Sequence, residues 1–202
     1  MSVLSYSGVR ERIRETVRDA YALLGDDDFL DGLIDEAQRE YALLSGSLIG
    51  EAEIQDNGKG VFECPPDWIE AVRAIGTDGV EIPFYSWKYL NGLYPDFRVL
   101  QGGCVKGLVT DFDGFRKLRI FPRQVKGEYI GKIYYKRLSS GGKLEVKNRE
   151  AVEQYSIYEI FLLAGKNEAI TYYNRFLDLV NGESSQVRGI DVKRRIRRGR
   201  FF

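Results

Sequence analysis

Two kinds of hydrophobic periodicity follow one another along this chain, and the places where they change divide it. Residues 9–24 set Val9, Ile13, Val17, Ala20 and Leu24 three and four apart, with Arg10, Glu11, Arg14, Glu15 and Arg18 largely on the other side. That spacing predicts an amphipathic helix with one face to bury and paired charges on the other. Gly25 suits a left-handed C-cap, and Asp26, Asp27 and Asp28 suit the start of a second helix, where free N–H groups and the helix dipole favour carboxylates. This second helix carries Phe29, Leu33, Ala37, Tyr41 and Leu44 on a stripe that Leu30 and Ile34 widen beyond the needs of a single partner.

The helical period returns after Asn148. Residues 149–165 are apolar on most of the circumference, with Val152, Tyr155, Tyr158, Ile160, Phe161, Leu162 and Leu163, which predicts a central helix. Residues 166–182 put Ile170, Tyr173, Phe176, Leu177 and Val180 on one face, and Gly165 between the two predicts an antiparallel helical hairpin.

The intervening region reads as strands: short segments in which aromatic and β-branched residues alternate with polar ones. Asn57-Gly58, Asp78-Gly79 and Asp113-Gly114 are turn signals, because each supplies the positive φ that tight hairpins need. The runs LIGEAEIQ, IEAVRAIG, VEIPFY, GLVTDFD, FRKLRIFP and YIGKIYYKRL are the expected strands, and SWKYLNGLY at 86–94 is an expected helical turn among them. The expected fold is therefore α+β: a four-helix body from N- and C-terminal helix pairs, residues 1–46 and 145–183, with an antiparallel β insertion over 47–144. An extended basic arm, 184–202, follows it.

Composition changes this picture in one respect. Thirty Lys+Arg balance thirty Asp+Glu. The balance conceals a split, because residues 184–202 hold seven basic side chains and one acid, Asp191. An acidic body thus carries a cationic arm that either folds back on it or reaches another acidic surface. No signal-length apolar run opens the sequence and no stretch approaches a membrane span, so no membrane role is expected. Cys64 and Cys104 form no C-x-x-C motif and are expected to be reduced, partly buried thiols in a cytoplasmic setting.

The chain contains no histidine, which excludes Ser-His-Asp and Cys-His catalysis and histidine-bearing zinc sites. Carboxylates remain. Glu51 and Glu53 share a strand face, with Asp56 and Glu63 near the same turn, but an exposed strand face accounts for them. Asp111, Asp113 and Gly114 resemble the opening of a calcium loop without its later ligands, and SSGGK at 139–143 lacks the offsets of a phosphate loop. No cofactor, no metal and no catalytic residue is expected.

The arm reads DVKRRIRRGRFF at 191–202. Its cations suit phosphates, a thin apolar content argues against a membrane-surface helix, and Phe201 and Phe202 suit a protein pocket. Disorder, protein docking and nucleic-acid contact stay open on these residues alone.

Four segments in order carry a family resemblance: LIDEAQREYALLSGSL (33–48), CPPDWIEAVRAIGTDGVEIPFYSWKYLNGLYPDFRV (64–99), LRIFPRQVKGEYIGKIYYKRL (118–138) and IYEIFLLAGKNEAITYYNRFLDLV (157–180). Together they resemble the head-to-tail adaptor (connector) proteins of tailed bacteriophages, especially short-tailed ones. The resemblance implies a non-enzymatic ring subunit of the virion neck, made in the host cytoplasm. It would join the portal protein to a tail or nozzle protein and extend the DNA exit channel, as a homo-oligomer, a dodecamer. Non-specific contact with passing genomic DNA is part of that expectation. It places Arg188, Lys193, Arg194, Arg195, Arg197, Arg198, Arg200, Phe201 and Phe202 in a portal-docking arm, and Trp87, Tyr89 and Tyr94 in subunit or tail contacts. The rival expectation is a nucleic-acid-binding protein that uses the arm.

Overall fold

The computed structural model describes residues 6–21, 26–114, 116–124 and 128–182. The chain divides into two compact units: residues 1–48 with 138–202, and residues 49–137. It is an α+β protein in which a strand-built unit is inserted between helical segments. The arm 184–202 lies outside the described residues, as does Gly25.

The helical unit contains α1 (Ser7–Tyr21) and α2 (Asp27–Ser45). Two further helices follow the insertion. One is Arg149–Leu163, α4 in chain order after a short helix of the strand unit described below; the other, α5, covers 169–182. The four share one core. Val9, Ile13 and Val17 of α1 meet Leu30, Ile34, Ala37 and Tyr41 of α2, together with Val152, Ile157 and Ile160 of α4 and Phe176 and Val180 of α5. The Asp run starts α2 as the sequence predicts: the Asp26 carboxylate accepts from the Phe29 N–H at 3.0 Å. Asp27 also receives Arg10 at 2.8 Å and pairs with Arg14, both on α1. Gly46 ends α2 at φ 62°, where its N–H reaches the Ala42 carbonyl.

Two expectations hold along most of their helix and depart at one end. α4 packs against both α1 and α2, as the central helix its near-continuous apolar surface predicts, but Leu162 and Leu163 at its end are 52% and 58% exposed. In α5, Tyr173, Phe176, Leu177 and Val180 of the predicted face meet the core, while Ile170 is turned out to 60% exposure. The two helices are joined at Gly165 (φ 65°) by a Schellman-type turn in which Lys166 N–H reaches Phe161 O.

The segment 138–148 has no regular structure but belongs to the helical unit, seven residues earlier than the expected boundary after 144. Gln38 of α2 is the reason. Fully buried, its side-chain oxygen accepts the N–H groups of Glu145 and Val146, and its amide donates to the Lys143 carbonyl and the Tyr6 hydroxyl. A polar loop is thereby held on a helix with its backbone groups satisfied.

The strand unit contains β1 (Ile49–Gln55), β2 (Val61–Glu63), β3 (Trp68–Gly76), β4 (Glu81–Ile82), β5 (Phe84–Ser86), α3 (Trp87–Leu93), β6 (Gly107–Thr110), β7 (Lys117–Phe121) and β8 (Tyr129–Arg137). One sheet has the order β1-β8-β3-β4 and is antiparallel throughout; the other has the order β2-β7-β6-β5. Their inward residues form a shared core, with Ile54, Trp68, Ala74, Ile130 and Ile133 from one and Phe62, Leu108, Leu118 and Ile120 from the other.

The expectation of a purely antiparallel insertion is corrected at β5, which pairs with β6 in parallel. VEIPFY is also two strands in two sheets. Pro83 has no N–H for a ladder, and its carbonyl accepts Leu108 N–H at 2.9 Å, so the chain changes sheets there. Gly131 in β8 sits at φ 153° opposite Gly76, where a Cβ would collide with the Ile75 carbonyl and stand 2.8 Å from Gly76 Cα. Only glycine permits that approach.

Candidate functional site

The strand unit has an aromatic outcrop on α3. Ser86 caps this helix by accepting from Tyr89 N–H at 3.3 Å, and Leu90, 1% exposed, anchors it against Phe97, Val109 and Phe121. Successive turns then present different surfaces. Trp87 is half-buried against Phe112, with ring centroids 6.4 Å apart, so it belongs to the support and not to the outer face. Tyr89 is stacked on Tyr85 at 5.7 Å yet remains 57% exposed, and Leu93, one turn further, is 56% exposed. Tyr94 rests on Phe121 at 5.2 Å with 39% of its surface open.

The support is stiffened by charge. Arg119 makes two hydrogen bonds to Asp113, at 3.0 and 2.6 Å, and its guanidinium lies 4.9 Å from the Phe112 ring, as does that of Arg98. Val99 and Leu100, which follow α3, are 71% and 41% exposed. The sequence singled out Trp87, Tyr89 and Tyr94; it missed Leu93, Val99 and Leu100. The outcrop offers large apolar area with few rotatable bonds, the chemistry of a protein contact.

Of the carboxylates considered for chemistry, Glu51, Asp56 and Asp113 are engaged structurally. Glu51 receives Lys132 at 2.6 Å on the sheet face, and that hydrogen bond holds its carboxyl below the usual range. Glu53 faces Lys132 across the β1–β8 ladder. Asp56, 2% exposed, ties a turn: Oδ1 accepts from Gly58 and Gly60 N–H at 2.7 and 2.9 Å, and Oδ2 from Gln124 N–H at 3.1 Å. The SSGGK loop is likewise committed, since Glu145 accepts from Ser139 and Ser140, and Asp35 accepts from Gly142 N–H at 3.0 Å. Its Ser140 and Gly142 amides donate to acidic side chains and its Gly141 amide to the Ser139 hydroxyl.

Tyr6 closes this second network by donating to Asp35, and burial with that carboxylate pushes its phenol above the usual range. Cys64 and Cys104 are free thiols; burial pushes the Cys64 thiol up to about 12, which keeps it protonated. Among the described residues no group of three acidic or thiol side chains is arranged to hold a metal ion, and no helix is long and apolar enough to cross a membrane. The portal-docking candidates Arg188, Lys193, Arg194, Arg195, Arg197, Arg198, Arg200, Phe201 and Phe202 lie outside the described residues.

In comparison with known proteins, no family model and no curated protein matches the chain.

Proposed function

We propose that the chain is a non-enzymatic assembly subunit, a head-to-tail adaptor of a phage neck that joins a portal ring to tail components as a homo-oligomer. The observation that carries the reading is the α3 outcrop, where Tyr89, Leu93 and Tyr94 stand exposed on a rigid aromatic support held by the Arg119–Asp113 pair. Such a surface serves contact between folded proteins. The ordered four-segment resemblance gives that contact its setting, with the arm 184–202 on the portal side and the outcrop on the subunit or tail side.

A second reading, nucleic-acid binding through the arm, draws on its seven basic residues. Duplex DNA titration at rising salt separates the two. Arm-driven DNA binding falls steeply with salt and is indifferent to Phe201 and Phe202, whereas attachment to a portal ring is lost in F201S/F202S.

A further inference from the structure

The negative charge of the chain is concentrated on the helical unit. Residues 1–48 with 138–183 carry 17 acids against 10 bases, while residues 49–137 carry 12 against 13. The complement of the basic arm therefore belongs to the helices. On α2, Glu36 and Glu40 stand one turn apart along a groove also lined by Gly32, Arg39, Leu43 and Leu138. Gly32 leaves the floor open, with nothing within 4 Å of where a Cβ would be, and Leu43 is 50% exposed. The groove thus joins excess negative charge, reduced but not cancelled by Arg39, to exposed leucine surface.

We propose that this groove on the helical unit seats the chain's own residues 193–202, the arginines against Glu36 and Glu40 and a phenylalanine ring on Leu43. Charge complementarity and the paired requirement for cations and an apolar tip select this occupant. Twenty residues follow Gly182, and at about 3.3 Å per extended residue they reach roughly 65 Å. That exceeds the span of a small folded unit, so its own groove is within range of the arm. Tethering sets an effective concentration on the order of millimolar, which favours the chain's own arm over that of a second copy. Ordering costs of about 1–2 kcal/mol per residue keep the contact weak enough for a better partner to displace it. The contact stands independently of the adaptor reading.

Limited trypsin digestion of the full-length protein at low salt, followed by mass spectrometry, tests it. Cleavage among Arg188 to Arg200 is expected roughly tenfold faster in E36Q/E40Q and in F201S/F202S than in the unaltered chain, about 1.4 kcal/mol of lost protection. Cleavage elsewhere should stay unchanged, which reports that the variants fold, and protection should not depend on protein concentration. Equal arm cleavage in all three proteins overturns the proposal. Protection that grows with protein concentration places the arm on a second copy, and protection that requires added duplex DNA assigns it to nucleic acid; either also overturns it.

Discussion

The side-chain oxygen of Gln38 accepts the backbone N–H of Glu145 at 2.7 Å, joining α2 to a segment 107 residues later in the chain. The same side chain reaches Lys143 O and Tyr6 O–H, so one buried amide satisfies groups from three parts of the helical unit. Replacing Gln38 with alanine strands these partners away from water. The expected cost is about 3 kcal/mol of unfolding free energy, measured by urea denaturation. A loss below about 0.5 kcal/mol would show that water takes over the role of the amide.

Gly131 is a comparable hinge of the strand unit. An alanine there meets the Ile75 carbonyl where β8 crosses β3, in a backbone conformation that side chains resist. G131A should destabilise the protein by about 2 kcal/mol or more, seen as a lowered thermal midpoint. Gly92, whose added Cβ would meet nothing within 4 Å, provides the control: G92A should be neutral or slightly stabilising.

The helical unit should respond to pH through Glu153 and Glu159. Burial raises both carboxyls above the ordinary value of 4.5; Arg12 at 3.4 Å offsets this only partly for Glu153, and Glu36 adds to it for Glu159. The folded state therefore takes up protons at a higher pH than the unfolded chain. Stability from these groups is gained as pH falls from neutral towards 4.5 and lost as pH rises through the folded values. Glu51, whose carboxyl is lowered by Lys132, works in the opposite sense below 4.5. The denaturation midpoint should be higher at pH 5 than at pH 7, and E153Q/E159Q should flatten that difference.

On α3, neighbouring side chains should separate assembly from stability. Leu90 is buried and Tyr89 and Leu93 are exposed. L90A should cost about 2–4 kcal/mol of stability. Y89S/L93S should change stability by less than about 0.5 kcal/mol while weakening association with neighbouring subunits or the tail protein, followed by analytical ultracentrifugation of the mixtures.

Local chemistry was legible in the sequence where it acts over a few residues. Asp26 ahead of an apolar stripe marked the start of α2, and Asp78-Gly79 marked the β3–β4 turn, where Gly79 has φ 78°. Non-local choices were not. Pro83 marks a break in the VEIPFY ladder, but nothing local announces the partners on either side of it, Ala74 for Ile82 in one sheet and Leu108 for Phe84 in the other. β2 has three residues, too few to show a period. Gln38 in the apolar stripe of α2 was a visible anomaly, but Tyr6 lies 32 residues before it and Lys143, Glu145 and Val146 more than a hundred after it. For the candidate site, the aromatic stretch at 86–94 identified the region; which ring supports and which faces outward depended on Phe112 and Phe121 arriving from later segments.

The most direct test of the adaptor account is electron microscopy of portal rings from the phage to which the account assigns the chain, mixed with the full-length chain or with a variant lacking residues 186–202. The account predicts a second ring stacked on the portal with the full chain and bare portals with the variant. Bare portals in both mixtures, or undiminished stacking without the arm, would contradict it.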